Sequence, residues 1–201
     1  MTNNALLIFT RNPQLGKVKT RLAKTFGDKK ALEVYKDLLL HTMEATKDLD
    51  CDVFVFYDEK IEENDIWSTK IYHKFVQSGK DLGEKMQNAF QKLFALNYQN
   101  CIIIGSDLFD LNEKMIIDAF QLLDKNDAVI GPAEDGGYYL LGLKNIIPAI
   151  FQNKNWGTSS VFADTLKDLE NLKVDLTEKL NDIDTFEDLE KSNYYKNKIF
   201  N

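Results

Sequence analysis

Short apolar runs alternate with amphipathic helical segments along this chain, and that alternation restricts the possible folds more than any other feature. Residues 5–10 (Ala-Leu-Leu-Ile-Phe-Thr) read as a buried strand, and 51–57, 72–77, 100–105, 127–131, 138–143 and 174–176 read likewise. Between them, Lys29–Lys47 places Leu32, Tyr35, Leu38, Leu39 and Met43 on one helical face. Asp81 and Asn112 stand where helix caps belong, before helices to about Leu96 and to Leu123. Residues 158–160 open a helix to about Asn171, and Thr185-Phe-Glu-Asp188 has the form of a capping box. Strands alternating with helices predict one α/β domain over 1–201, with three α/β/α layers around a mostly parallel sheet. The Asp135-Gly136-Gly137 turn between two runs makes that sheet mixed.

Composition narrows the class. No apolar run approaches the roughly 20 residues that span a bilayer, and no signal pattern opens the chain, so the expected location is the cytoplasm. Cys51 and Cys101 each begin an apolar run and read as small buried hydrophobes in a reducing compartment, not as a zinc site or a disulfide framework. A net charge of −7 argues against nucleic acid as a partner, which needs extended basic surface. The charge is nevertheless polarised. Both arginines of the chain, Arg11 and Arg21, lie in one loop, the first acid is Asp28, and residues 1–27 carry +5 against −12 for the remainder. Arginine grips phosphate bidentately, so this loop is expected to hold a small polyanion.

In parallel sheets ligands collect at the carboxyl ends of strands, and four chemically loaded loops follow predicted strands: 11–21, 106–110, 132–137 and 182–185. In the first, Arg11, Gly16, Lys17, Lys19 and Arg21 are the candidate phosphate binders, and Thr20 is placed to begin a short helix with free amides. The Gly-x-x-x-x-Gly-Lys spacing of a Walker loop is absent. Asp107, just past Ile102-Ile103-Ile104-Gly105-Ser106, is placed to hold Mg²⁺ or Mn²⁺ against phosphate oxygens, with Asp110 beside it. Asp135 is the second candidate catalytic acid, followed by Gly136, Gly137 and Tyr138, where a ligand can lie against the chain; a plain hairpin turn explains the same residues. Asp184 completes a metal pair with Asp107 if the two loops meet, although helix capping accounts for it equally well. Trp156 could stack on a substrate, and His41 and His73 read as structural.

The ordered motifs Phe9-Thr-Arg11-Asn-Pro13-Gln-Leu-Gly16-Lys-Val-Lys19-Thr-Arg21-Leu-Ala23, Gly105-Ser-Asp107, Gly131-Pro-Ala-Glu-Asp135-Gly-Gly137-Tyr-Tyr-Leu-Leu-Gly142 and Asp182-Ile-Asp184-Thr185 resemble a small bacterial glycosyltransferase-like family of the nucleotide-diphospho-sugar transferase superfamily. Lys19-Thr-Arg21-Leu-Ala23 is also similar to a segment of 2-phospholactate guanylyltransferase. The resemblance implies the GT-A fold, a nucleotide or nucleotide-sugar at the C-terminal sheet edge, and Asp107 as the metal-binding acid. One departure is plain: that family has proline two residues after the aspartate, where this chain has Phe109. The expected activity is a metal-dependent transfer from a nucleotide-sugar to an unknown small acceptor. The alternatives are nucleotidyl transfer with pyrophosphate release and non-catalytic nucleotide binding for regulation.

Overall fold

The computed structural model describes residues 2–195. Seven strands form one sheet: β1 (Asn4–Thr10), β2 (Asp52–Tyr57), β3 (Tyr72–Val76), β4 (Asn100–Gly105), β5 (Ala128–Pro132), β6 (Tyr138–Leu143) and β7 (Val174–Leu176), in the order β3-β2-β1-β4-β6-β5-β7. All neighbours pair in parallel except β6, which runs antiparallel to both β4 and β5. The helices are α1 (Thr20–Thr46), α2 (Leu82–Ala95), α3 (Glu113–Leu123), α4 (Val161–Asp168) and α5 (Phe186–Lys191). Every predicted strand forms, within a residue or two of its expected bounds.

Alternate residues of each strand face opposite sides. Leu6, Ile8, Ile102 and Ile104 pack with Tyr35 and Leu39 of α1 and with Ile116 and Phe120 of α3. Leu7, Phe54, Ile103 and Leu141 pack on the other side with Met86, Phe90 and Leu93 of α2. Burial on both faces is why the strands read as continuous apolar runs and not as alternating ones. Cys51 and Cys101 belong to opposite layers, and burial pushes both thiols up to about 12, so neither is a nucleophile at neutral pH. Among the described residues, no helix is long and apolar enough to cross a membrane.

Capping follows the sequence reading. Asp81 and Asn112 side chains accept from the Glu84 and Met115 amides, and Thr185 with Asp188 closes the capping box. The Ser/Thr run behaves differently: Ser160 donates to Asp164 and Thr158 to the Asn155 carbonyl, so no hydroxyl caps α4. A 3₁₀ turn at Pro148–Phe151, unforeseen in the sequence, covers the α2 side.

The chain leaves β1 towards β2 and β3 on one side, then returns to β4 on the other. Such a switch point opens a crevice at the carboxyl ends of the two strands, here beyond the pair Phe9 and Gly105. The first turns of α1 stand over it. Gly27 (φ 80, ψ 162) breaks α1 between these turns and the long helix that packs on the sheet. A Cβ at Gly27 would meet no atom within 4 Å, so the requirement there is conformational, not steric. Gly27→Ala is therefore expected to cost about 1–3 kcal/mol of backbone strain, read as a Tm lower by several degrees. An unchanged Tm would show that the two helical pieces join without strain.

Candidate active site

The crevice holds a cavity of about 610 Å³ whose lining includes Arg11, Lys19, Arg21, Lys85 and Asp107. Lys19 occupies its floor. The residue has left-handed backbone (φ 48), and its side chain is 5% exposed, with Nζ 3.0 Å from the Asp107 carboxylate. A non-glycine residue at positive φ is uncommon, and such strain concentrates at functional sites. Arg21, exposed at the rim, donates to Asp184 at 3.0 Å. Arg11 continues directly from β1, and its side chain is exposed at the mouth. Asp107 is placed by its neighbour: a Cβ on Gly105 would stand 2.8 Å from the Asp107 carboxylate oxygen.

The basic loop is fastened on its outer side. Buried Asn12 donates through its backbone amide to Asp58 and through its side chain to the Lys60 carbonyl, while its side-chain oxygen accepts from the Glu59 and Lys60 amides. Lys17 turns outward to Glu59 at 3.1 Å, and that contact holds the Glu59 carboxyl below its usual range. Gly16 (φ 75) shapes the turn and lies against Asp28. Neither Gly16 nor Lys17 lines the cavity; Arg11, Lys19 and Arg21 do.

A second cavity of about 210 Å³ adjoins the first and shares Leu82, Gly105 and Asp107 with it. Asp135, Gly137, Tyr138, Trp156 and Asp182 are among its walls. Trp156 packs closely on Gly83, where a Cβ would come within 2.6 Å of the indole. Gly136 (φ 90) lies beneath Ser159, too close to admit a side chain. Asp135 accepts from the Gly137 amide at 2.8 Å, so the turn is a local Asx structure as well as a cavity wall.

Backbone bonds draw the acidic loops together. Ile183 N–H donates to the Asp107 carbonyl at 3.1 Å, Glu134 N–H to the Leu180 carbonyl at 2.9 Å, and Leu180 N–H to the Pro132 carbonyl at 3.1 Å. Asp182 consequently stands within reach of the charges of Asp107 and Asp135. Burial first, and then the charges of Asp107 and Asp135, push Asp182 up to about 7. Asp182 is the functional candidate that the sequence reading passed over in favour of Asp184. No local signal separates the two: Asp182 and Asp184 flank the fully buried Ile183 symmetrically, in a segment without regular secondary structure.

Phe109 replaces a ring that restricts the backbone with a ring that anchors it. It stacks on His41 at 4.6 Å, meets Tyr194 edge-on at 5.3 Å, and packs against the Leu22, Leu38 and Ile183 cluster. His41 Nε2 also bonds the Leu111 carbonyl at 2.8 Å, so α1 holds both ends of the turn. Asp110 faces away and accepts from Asn193.

The donor set of Asp107, Asp135 and Asp182 is hard oxygen, which suits Mg²⁺ or Mn²⁺. Among the described residues, no three His, Cys, Asp or Glu side chains form a cation site by themselves. Mg²⁺ sites of one or two carboxylates completed by substrate phosphates have this character.

Residues 40–158 match the family model described as "Uncharacterized protein conserved in bacteria (DUF2064)". A candidate nucleotide-diphospho-sugar transferase from Desulfovibrio desulfuricans G20 is 33% identical, with a TM-score of 0.87 over 94% of this chain and 85% of that one. Two distant structures share the fold. One is 4-diphosphocytidyl-2C-methyl-D-erythritol synthase from Anaerococcus prevotii DSM 20548, with TM-score 0.61, 14% identity and coverage of 98% of this chain and 96% of that one. The other is Rv0371C from Mycobacterium tuberculosis H37Rv in complex with manganese, with TM-score 0.54, 10% identity and coverage of 94% and 96%. No curated protein matches the chain.

The Asp182 shift has a measurable consequence. The folded protein keeps that proton up to about pH 7, against an ordinary value of 3.8. The folded state thus binds more protons than the unfolded one across this interval, and stability falls as pH rises through it. Asp182→Asn is expected to raise Tm by a few degrees at about pH 8 and to leave it unchanged below about pH 4. An equal effect at both pH values would remove charge repulsion as the cause.

Proposed function

The chain belongs to the DUF2064 family, within the nucleotide-diphospho-sugar transferase-like superfamily, and we propose that it is a metal-dependent nucleotidyltransferase acting on a nucleoside triphosphate and a small acceptor. The observation that carries this reading is the placement of two cavities on either side of Asp107. Displacement at phosphorus needs attacking and leaving oxygens roughly in line. In this reading the acceptor lies in the smaller cavity beside Asp135, Gly137, Tyr138 and Trp156, with Gly136 packed behind the wall against Ser159, and its oxygen attacks the α-phosphorus. The bond from that phosphorus to the bridging oxygen breaks, and pyrophosphate leaves into the cavity that Arg11, Lys19, Arg21 and Lys85 line. Fixed cations at the position where negative charge develops supply the largest part of such catalysis.

Asp107 would hold Mg²⁺ or Mn²⁺ with Asp182, and with Asp135 or Asp184 adjoining. When bound, the ion neutralises phosphate charge and relieves the repulsion among the carboxylates. The manganese complex of Rv0371C, a protein of the same fold, is compatible with this ion choice. In the ligand-free protein Lys19 supplies the positive charge at Asp107. Asp135, on the wall of the smaller cavity where the acceptor lies in this reading, would take the acceptor's proton. Two free cysteines, Cys101 buried and Cys51 partly buried, fit a reducing cytoplasm.

A second reading is glycosyl transfer from a nucleotide-sugar, in which nucleoside diphosphate leaves from the anomeric carbon. The 33% identical candidate nucleotide-diphospho-sugar transferase favours it. A panel of nucleoside triphosphates and nucleotide-sugars, assayed with and without Mn²⁺, separates the two by the released product. Pyrophosphate supports the proposal, nucleoside diphosphate the second reading, and tight binding without turnover over a broad acceptor set a regulatory nucleotide sensor.

Two substitutions test the site itself. Arg21→Ala is expected to weaken nucleotide binding about tenfold with Tm nearly unchanged, because Arg21 is exposed and pairs only at the rim. Unchanged calorimetric affinity would take Arg21 out of the site. Asp107→Asn is expected to abolish the Mn²⁺ dependence of nucleotide binding; metal dependence that survives would overturn the metal assignment.

A further inference from the structure

Where β1 and β4 diverge, beyond Phe9 and Gly105, the next backbone groups of β1 lack a partner on β4. Arg11 solves this through one side chain. The Tyr35 hydroxyl, reaching up from α1, accepts the Arg11 N–H at 2.9 Å and donates to the Arg11 carbonyl at 3.1 Å. A phenol has one proton and two lone pairs, so one lone pair remains. Thr10 Oγ1 stands 3.2 Å and Ser106 Oγ 3.5 Å from the same oxygen, and Ser106 donates to Thr10 at 3.3 Å. Thr10, Tyr35 and Ser106 are each less than 5% exposed, yet all three line the larger cavity, forming its floor.

We infer that Tyr35 is a positioning residue: its buried hydroxyl fixes the start of the phosphate loop at Arg11 relative to Ser106, and so relative to Asp107. The ring itself is held in the core layer by Leu6, Ile8 and Leu39, which a phenylalanine would satisfy equally. Only the hydroxyl touches both loops. Burial raises the phenol above its ordinary pKa, so it remains a neutral donor at physiological pH. Removing the oxygen leaves the Arg11 amide without its partner at the point where the loop departs, and leaves the Arg11 carbonyl to the longer 3.4 Å bond from Thr10 Oγ1. The cationic loop and the acidic loop would each persist, but their mutual register would loosen.

This inference rests on the larger cavity being a phosphate site that works together with a metal at Asp107, and the test separates the two claims. The probes are inorganic triphosphate and Mn²⁺, titrated calorimetrically into the whole protein, which avoids any assumption about the base. The wild type is expected to bind triphosphate at least about tenfold more tightly with Mn²⁺ than without. Tyr35→Phe is expected to keep the metal-free affinity within about twofold while the Mn²⁺ enhancement falls below about threefold. Tyr72→Phe is the control. That hydroxyl bonds Thr46 and the Met43 carbonyl at the far end of the same helix, so its loss costs similar stability and should leave the enhancement intact. Should Tyr35→Phe fail to fold, Ser106→Ala removes the far end of the network without touching the core ring and is expected to reduce the enhancement in the same direction. Full enhancement in folded Tyr35→Phe, or in Ser106→Ala where that variant decides, overturns the inference alone. Absence of any Mn²⁺ enhancement in the wild type overturns the phosphate-site reading and the inference with it.

Discussion

The parallel pairing of β1 with β4, and its end at Phe9 and Gly105, is the constraint on which the rest of the molecule depends. Up to that pair the two strands share a ladder and bury side chains in both layers. Beyond it they part, because the chain turns from β1 into a helix on one side and reaches β4 from the other. Backbone polar groups that leave a ladder must find other partners. Here those of β1 find the Tyr35 hydroxyl, the Asp58 carboxylate and the Gln77 side-chain amide, and the opened space becomes a cavity instead of collapsed loop. Position at the switch point brings a cationic loop and an acidic loop face to face.

Electrostatics then divides the site. One side collects Arg11, Lys19, Arg21 and Lys85; the other collects Asp135 and Asp182, with Asp107 common to both. The ion pair between buried Lys19 and Asp107 joins the halves in the ligand-free protein. A buried ammonium without that partner would be costly, as would three carboxylates without a cation. The raised Asp182 value records burial first and then the charges of Asp107 and Asp135. In the proposed function, a metal–nucleotide complex would bring both signs of charge to the place where each is lacking.

Much of the fold was legible beforehand because it follows from local pattern. Seven apolar runs became seven strands, Asp81, Asn112 and Thr185 became caps, and the Asp-Gly-Gly turn introduced the antiparallel strand. The loops that carry charge were legible as well, since polar residues after buried strands stand out. Which side chain of a loop points inward was not. Lys17 and Lys19 are chemically equal and two residues apart, yet Glu59 draws one out and Asp107 draws the other in. Both partners lie more than 40 residues away in the chain. Phe109 likewise looked like the loss of a restricting proline, and only the stacked His41 and the adjacent Tyr194 show that packing supplies the restriction.

The sequence by itself determined the layered α/β architecture, the sheet edge at which the charged loops gather, and the polarity of those loops, because periodicity and charge density are properties of contiguous residues. The tertiary structure decided the membership of the site. It placed Asp182 beside Asp107 and Asp135, tied Asp184 to Arg21, and set Tyr35 beneath Arg11 and Ser106. Those choices depend on strand order, on a left-handed Lys19 and on backbone bonds between loops about 76 residues apart, such as Ile183 to Asp107. No local pattern encodes them, since each is the outcome of long-range packing that brings one segment to bear on another.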